Sequence, residues 1–373
     1  MSRHLSGGTT VEQYHRIHRK KIMVIVILAI ILLCAVVAAL GIGSVYVPPG
    51  DILAAIGHAI FPQFVEAPAD GTDLIVLTFR LPRILLAILA GIALAAAGAV
   101  MQGLLRNPLV SPFTLGLSSA ASFGAALMIV AGPVLFGGIF ASSVFFLGIP
   151  FTGKSLLLII SAFAFGILSV FLVYFISRAR QTSQAVMILA GVVIGYLFQA
   201  GLLALKYVSN DDALREIVNW TMGGMWGATW QAIAILVPIV LICFFLVEWK
   251  AWDLNTLSSG DDVARNLGIN VNRFRICGLL IVSLAASACL AFTGIIGFIG
   301  LMAPHICRML IGNDYRYLLP ASALMGALIL LISDTAARVI FSPLEIPVGI
   351  IMYILGGIFF IFLITKGRGR LLS

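Results

Sequence analysis

The sequence predicts an all-α polytopic membrane protein with about ten transmembrane helices. Three observations carry that reading. Of 373 residues, 61% are hydrophobic and only 10% are charged, against roughly 45–50% apolar in an ordinary soluble domain. Mean hydropathy is +1.12. Runs of about 20 apolar residues recur along nearly the whole length, each long enough to cross a hydrocarbon core of about 30 Å. No stretch remains for a separate soluble domain of typical size.

The spans fall at about residues 22–42, 83–105, 113–132, 155–176, 185–207, 229–247, 276–293, 295–311, 318–341 and 346–365. Residues 1–21 form a polar, basic tail with Arg16, Arg19, Lys20 and Lys21 next to the first span. The stretch that follows is longer than a signal-peptide apolar region, so it is read as an uncleaved span. The transmembrane domain is then 22–366, with a second short tail at 367–373. Two regions resist assignment. Residues 132–153 are uncharged and Gly-rich, and fit either an eleventh span or a re-entrant loop. Ile276–Cys307 is uncharged for 32 residues. That is too long for one span and short for two, so one of its helices is expected to be short or broken.

The net charge of +8 does not form one basic patch, which argues against nucleic acid. The basic residues flank the spans instead. With ten spans and the N-terminus inside, 17 of the 23 Lys and Arg fall on the cytoplasmic side. The positive-inside rule therefore favours ten spans with both termini cytoplasmic. The charged segment Glu248–Arg275, with eight charges in 28 residues, is then cytoplasmic and suited to touching a soluble partner. On the outer side lie the mixed stretch Val47–Thr78 and a helix-like segment Asn210–Trp220. The five cysteines sit in apolar segments without a CxxC pair, so neither disulfides nor a zinc site is expected.

Gly148–Ser155 matches the pattern GxxxxGK[ST], and Leu331–Asp334 offers an acid after an apolar run. A phosphate-binding loop needs an α/β domain around it. The helix after Ser155 is apolar all round, which marks a membrane helix. The motif is read as a Gly-Pro turn with one interfacial lysine.

Arg80-Leu81-Pro82-Arg83 opens the second span, and Pro is tolerated in a first helical turn. The two arginines are three apart, so both are expected to project from one face at the outer surface. The span itself is rich in Gly and Ala from Ala87 to Leu105, which permits close helix packing. His305 follows Pro304 on an apolar stretch and is read as a structural hydrogen-bonding residue, not a metal ligand. Asp334 and Arg338 are placed for an i,i+4 pair.

In order, the chain reads RLPR, GxxxQGLLRNPL, GDDVARNLGI, GFIGLxAPHxxR, LLPASAL and ExPVG. This ordered set resembles the permease subunits of ABC importers for iron–siderophores, haem and cobalamin, over about residues 75–366. Residues 1–21 and 132–153 have no clear counterpart. The resemblance implies type II ABC importer architecture. Two copies form a homodimer around a central path, each copy binds one cytoplasmic ATPase, and a soluble binding protein caps the outer face. ATP and magnesium belong to the ATPase, and this chain binds no cofactor or metal and catalyses nothing.

Residue roles follow from matching motifs. Arg80, Arg83 and Arg338 resemble the arginines that meet glutamates of the binding protein. Gly260, Asp261, Asp262, Ala264, Arg265, Leu267 and Gly268 resemble the coupling element that enters the ATPase, with the two glycines bracketing a short helix. Asn107, Leu109, Thr182 and Ser183 match cytoplasmic gate residues. A ferric siderophore is the expected substrate, with cobalamin or another corrinoid, haem, or an oxyanion such as molybdate as alternatives. The competing class, an ion-coupled secondary transporter, places ionisable residues mid-membrane, and the span centres here hold essentially no Asp, Glu or Lys. An intramembrane enzyme would need a deep Ser/His or Asp pair, and none stands out.

Overall fold

The computed structural model describes residues 10–43, 45–66, 68, 71–146, 148–178 and 184–366. Helix α1 (Thr10–Gly41) is followed by α2 (Pro49–Ile60) and a π-helical turn, Leu74–Arg80, that runs directly into α3 (Leu81–Leu104). Then come α4 (Leu117–Leu135), the short α5 (Gly137–Phe140) and an antiparallel hairpin of β1 (Ser143–Phe146) and β2 (Ile149–Thr152). Helices α6 (Gly153–Arg178), α7 (Gln184–Val208), α8 (Asp211–Met222) and α9 (Trp230–Trp249) follow. The short α10 (Ala251–Ser258) and α11 (Asp261–Asn266) precede α12 (Val271–Thr293), α13 (Ile299–Ile311), α14 (Tyr315–Val339) and α15 (Val348–Lys366).

Among the described residues, nine helices are long and apolar enough to cross a membrane, and α13 is a shorter apolar helix between two of them. These match the ten expected spans in order. The uncharged stretch after residue 276 resolves as a full-length α12 and a short α13. Successive crossings put 105–116, 250–270 and 312–314 at one end, here termed the basic end. The described residues of 42–73, 136–152, 209–229 and 340–347 lie at the opposite end.

Helix α3 is the centre of the bundle and packs on α14, α12, α13 and α9. Its small residues let backbones meet. A Cβ at Gly91 would sit 2.5 Å from the Gly326 carbonyl oxygen, and one at Gly98 would collide with the Gly300 carbonyl. Polar caps fix the helix ends. Asn210 accepts from the Ala213 amide at 2.9 Å, Thr229 from Ala232 at 3.1 Å, and Asn270 from Arg273 at 3.1 Å. Each satisfies a donor that the helix itself leaves orphaned.

Three expectations need correction. The second span begins at Leu74, not near residue 83. Pro82 has no N–H to extend an α ladder, and the π-helical turn before it carries the chain through. Helix α1 starts at Thr10, so the basic tail is partly helical, and Lys21 reaches Asp314 at 3.5 Å. The described residues of 132–153 hold no eleventh membrane-long helix: they comprise the end of α4, the short α5 and the β1–β2 hairpin.

Candidate functional site

The motif residues gather at the two ends of the bundle. At the end opposite the basic one, Arg80, Arg83 and Arg338 line a common cavity of about 350 Å³ with Glu345 and Trp226. The structure thus brings the three arginines together. It does not leave them free. Arg80 is only 5% exposed and donates to the carbonyls of Leu40, Gly41 and Val45. It thereby caps the C-terminal carbonyls of α1, where a cation also suits the helix dipole. The expectation that Arg80 projects at the surface is therefore corrected: the α1–α2 connection folds over it.

Arg83 donates to both oxygens of Asp334 at 3.0–3.1 Å and to Glu345 at 2.7 Å. Asp334 is fully buried, and Arg338 sits 3.4 Å from it, confirming the i,i+4 pair. Asp334 thus holds two guanidinium groups. Three arginines face two carboxylates, so the cluster keeps one positive charge uncompensated. Glu345, the exposed member, was legible only as part of a motif. Its pairing with Arg83 spans 262 residues, and no local spacing announces it.

At the basic end the charged segment is folded. Gly260 (φ +136°) and Gly268 (φ +85°) bracket α11, as the family resemblance implies. Ala264 is buried and anchors the helix, whereas Asp262 and Arg265 are exposed and pair with each other at 3.3 Å. Val263 is exposed, and Leu267 is 69% exposed.

Asp261 faces inward. Arg275, 1% exposed, donates to both of its oxygens at 3.1 and 3.2 Å and sends Nε to the Leu104 carbonyl at 2.8 Å. Arg106 lies 3.5 Å from the same carboxylate. Gln184, the first residue of α7, completes the cluster. A guanidinium only donates, so the Gln184 carbonyl turns inward and accepts from Arg106 and Arg275, each at 2.9 Å. Arg106 adopts φ +44°, a left-handed conformation usually left to Gly after a helix. Its contacts to Asp261 and Gln184 hold it there. Arg275 and Gln184 were missed by sequence reasoning, because a buried arginine near a span end reads as an ordinary flanking cation.

Asn107 accepts from the Leu109 amide at 2.9 Å, and Leu109 is exposed. Both lie on the turn that leaves α3, beside Arg106. Thr182 and Ser183 lie outside the described residues, directly before Gln184. Among the described residues, no group of three or more His, Cys, Asp or Glu is placed to hold a metal. Lys154 of the phosphate-loop look-alike pairs with Glu216 at 2.7 Å, and the strand before it belongs to a two-stranded hairpin, not an α/β domain.

Among the described residues, the fold is a helical membrane bundle, nine long apolar helices and the shorter α13, with a small-residue core and a folded charged segment at one end. Residues 28–366 match the FecCD transport family, and the chain belongs to that family. It is 37% identical over 352 residues to the Fe(3+)-citrate import system permease protein YfmE of Bacillus subtilis, covering 94% of this chain and 96% of that one. It is 38% identical over 296 residues to the hemin transport system permease protein HmuU of Yersinia pestis, covering 78% and 83%. A solved inward-facing conformation of a metal-chelate type ABC transporter matches with TM-score 0.77 and 30% identity, over 92% of this chain and 99% of that chain. The chain is thus an ABC transporter permease in a cell membrane, a transport component and not an enzyme.

Proposed function

We propose that this chain is the membrane-spanning subunit of an ATP-driven importer that moves a ferric siderophore or a similar iron chelate. The names of the relatives, one for Fe(3+)-citrate and one for hemin, favour an iron chelate over a corrinoid. In this reading two copies flank the path, two ATPases sit at the basic end, and both termini are cytoplasmic. ATP and magnesium stay on the ATPase. A soluble binding protein delivers the chelate to the other end, near Arg83 and Glu345.

The observation that carries the proposal is α11. It displays Val263 and Leu267 outward while its first residue, Asp261, is tied to Arg106 after α3, Arg275 of α12 and Gln184 of α7. A push on α11 therefore reaches the segments that carry Asn107, Leu109, Thr182 and Ser183, the proposed gates. Two rigid states of such a cluster would convert ATPase closure into gate movement.

The test is purification of the tagged chain in mild detergent from its native membrane, with the stoichiometry of what accompanies it. One soluble ATPase per chain supports the proposal. A clean homo-oligomer without ATPase, repeated after cross-linking, overturns it in favour of a gradient-driven transporter.

A further inference from the structure

Residues 132–153 contain no Asp, Glu, Lys, Arg or His. The connections 42–73 and 209–229, at the same end of the bundle, carry several charges each. A segment bathed in water has no reason to differ from them in this way. The difference is spatial as well. Val134 is 87% exposed and Phe145 is 73% exposed, with Leu135 and Ile139 also exposed. Val134 and Leu135 lie in the last turn of α4, Ile139 in α5 and Phe145 in β1, and Ile160 of α6 is exposed as well.

The segment is a built unit. A Cβ at Gly132 would meet the Phe140 ring at 2.6 Å, and one at Gly153 would collide with the Ile139 carbonyl. The Gly153 amide donates to the Ser142 carbonyl at 2.8 Å. Both ends of the insert therefore close on its middle, and the hairpin is held in one place.

Its depth follows from its backbone. A two-stranded hairpin leaves unpaired N–H and C=O groups on both edges, and such edges are not tolerated in the hydrocarbon core. The apolar side chains argue equally against bulk water. The interfacial layer satisfies both demands, because water reaches the strand edges while side chains enter the lipid. The same level is marked independently. Phe151 and Thr152 of β2 share a cavity of about 450 Å³ with Trp220 and Trp226, and Trp is the residue of membrane–water interfaces. Lys154 follows directly, paired with Glu216 and 6.0 Å from the Phe140 ring centroid.

We propose that residues 132–153 form a lipid-seated anchor, with Val134, Leu135, Ile139 and Phe145 inserted among the lipids of the leaflet at the end opposite the basic one. The anchor would fix the outer ends of α4 and α6 against the bilayer.

The test is site-directed fluorescence on the full chain in phosphatidylcholine–phosphatidylglycerol liposomes. Cys34 and Cys277, the exposed cysteines, are replaced by Ser. Single cysteines are then introduced as Phe145→Cys and Val134→Cys, with Ser258→Cys at the basic end and Leu168→Cys within α6 as references. Each site carries an environment-sensitive probe. Lipids with a shallow nitroxide should quench the two insert sites at least about twofold more than aqueous iodide does, as expected for side chains roughly 5–10 Å into the interface. Iodide quenching at both sites equal to that at Ser258 overturns the proposal. So does quenching that depends on protein-to-lipid ratio, which would assign the patch to a second copy of the chain. Two insert sites guard against one variant that misfolds.

Discussion

Arg275 Nη2 donates to both carboxylate oxygens of Asp261, and this ion pair joins the displayed helix α11 to the body of the bundle. The guanidinium has a second task, holding the orphaned Leu104 carbonyl at the end of α3. Removing Asp261 therefore strands a buried charge. Asp261→Asn should lower unfolding stability by about 2 kcal/mol, under the range for a fully buried pair because the carboxylate is partly open to solvent. Denaturant unfolding in detergent measures that. Under the importer reading, the same variant keeps its ATPase but loses most of its ATP-dependent uptake in proteoliposomes. Full uptake would remove Asp261 from the transmission path.

Leu267 and Val263 test the outer face of α11. Both are exposed and contribute little to the fold. Leu267→Asp should leave the melting temperature within about one degree, as surface changes usually do. It should weaken attachment of the ATPase by roughly tenfold or more, since an apolar contact is replaced by a desolvated charge. Co-purification against an immobilised ATPase reads this directly. Unchanged retention would remove the coupling role from this helix.

The legible parts of this protein were those written in local pattern. Apolar runs located the spans, and the Gly and Ala content of α3 marked the close helix contacts; α11 was expected only through the family resemblance. Distant pairings were not legible. Nothing near Arg83 in the chain points to Glu345, and nothing near Arg275 points to Leu104. The arginine motif was read as surface because spacing specifies a helical face and not what later folds over it. For Arg80, the covering element is the α1–α2 connection, some 35 residues upstream. The insert at 132–153 was ambiguous because short apolar runs fit helix, strand and membrane equally well.

Arg80 and Arg83 should therefore behave differently when changed. Arg80→Gln removes the cap on three carbonyls and should cost about 2 kcal/mol, mostly as lost stability. Glu345→Gln leaves the fold intact and frees one edge of the Arg83 guanidinium. If the binding protein presents a carboxylate there, its association should speed up several-fold at low salt, with the gain fading as salt rises. Surface plasmon resonance of binding protein on the nanodisc-held permease measures both. Docking that ignores Glu345→Gln and Arg83→Gln alike would move the contact elsewhere.

Asp314 sets the final prediction, on pH. It caps α14 and sits at the basic end between Arg316, Asn255 and Lys21. Burial alone would raise its carboxyl. Hydrogen bonds from Arg316 and Asn255, with the charges of Arg316 and Lys21, outweigh that and hold it at about 2. A folded pKa below the unfolded value means that ionisation favours the folded state. The contribution is therefore fully present above the unfolded value, near 4, and is lost as pH falls through about 2. Its size is about 1–2 kcal/mol once solvent screening is allowed for. Asp314→Asn should be less stable than the unaltered chain at pH 7 by about that amount, because the amide keeps the capping geometry but loses the charge. The gap should narrow steadily between pH 4 and pH 2, followed by thermal unfolding in detergent. A gap that stays constant over that window would mean that ionisation of Asp314 is not what secures α10 to α14.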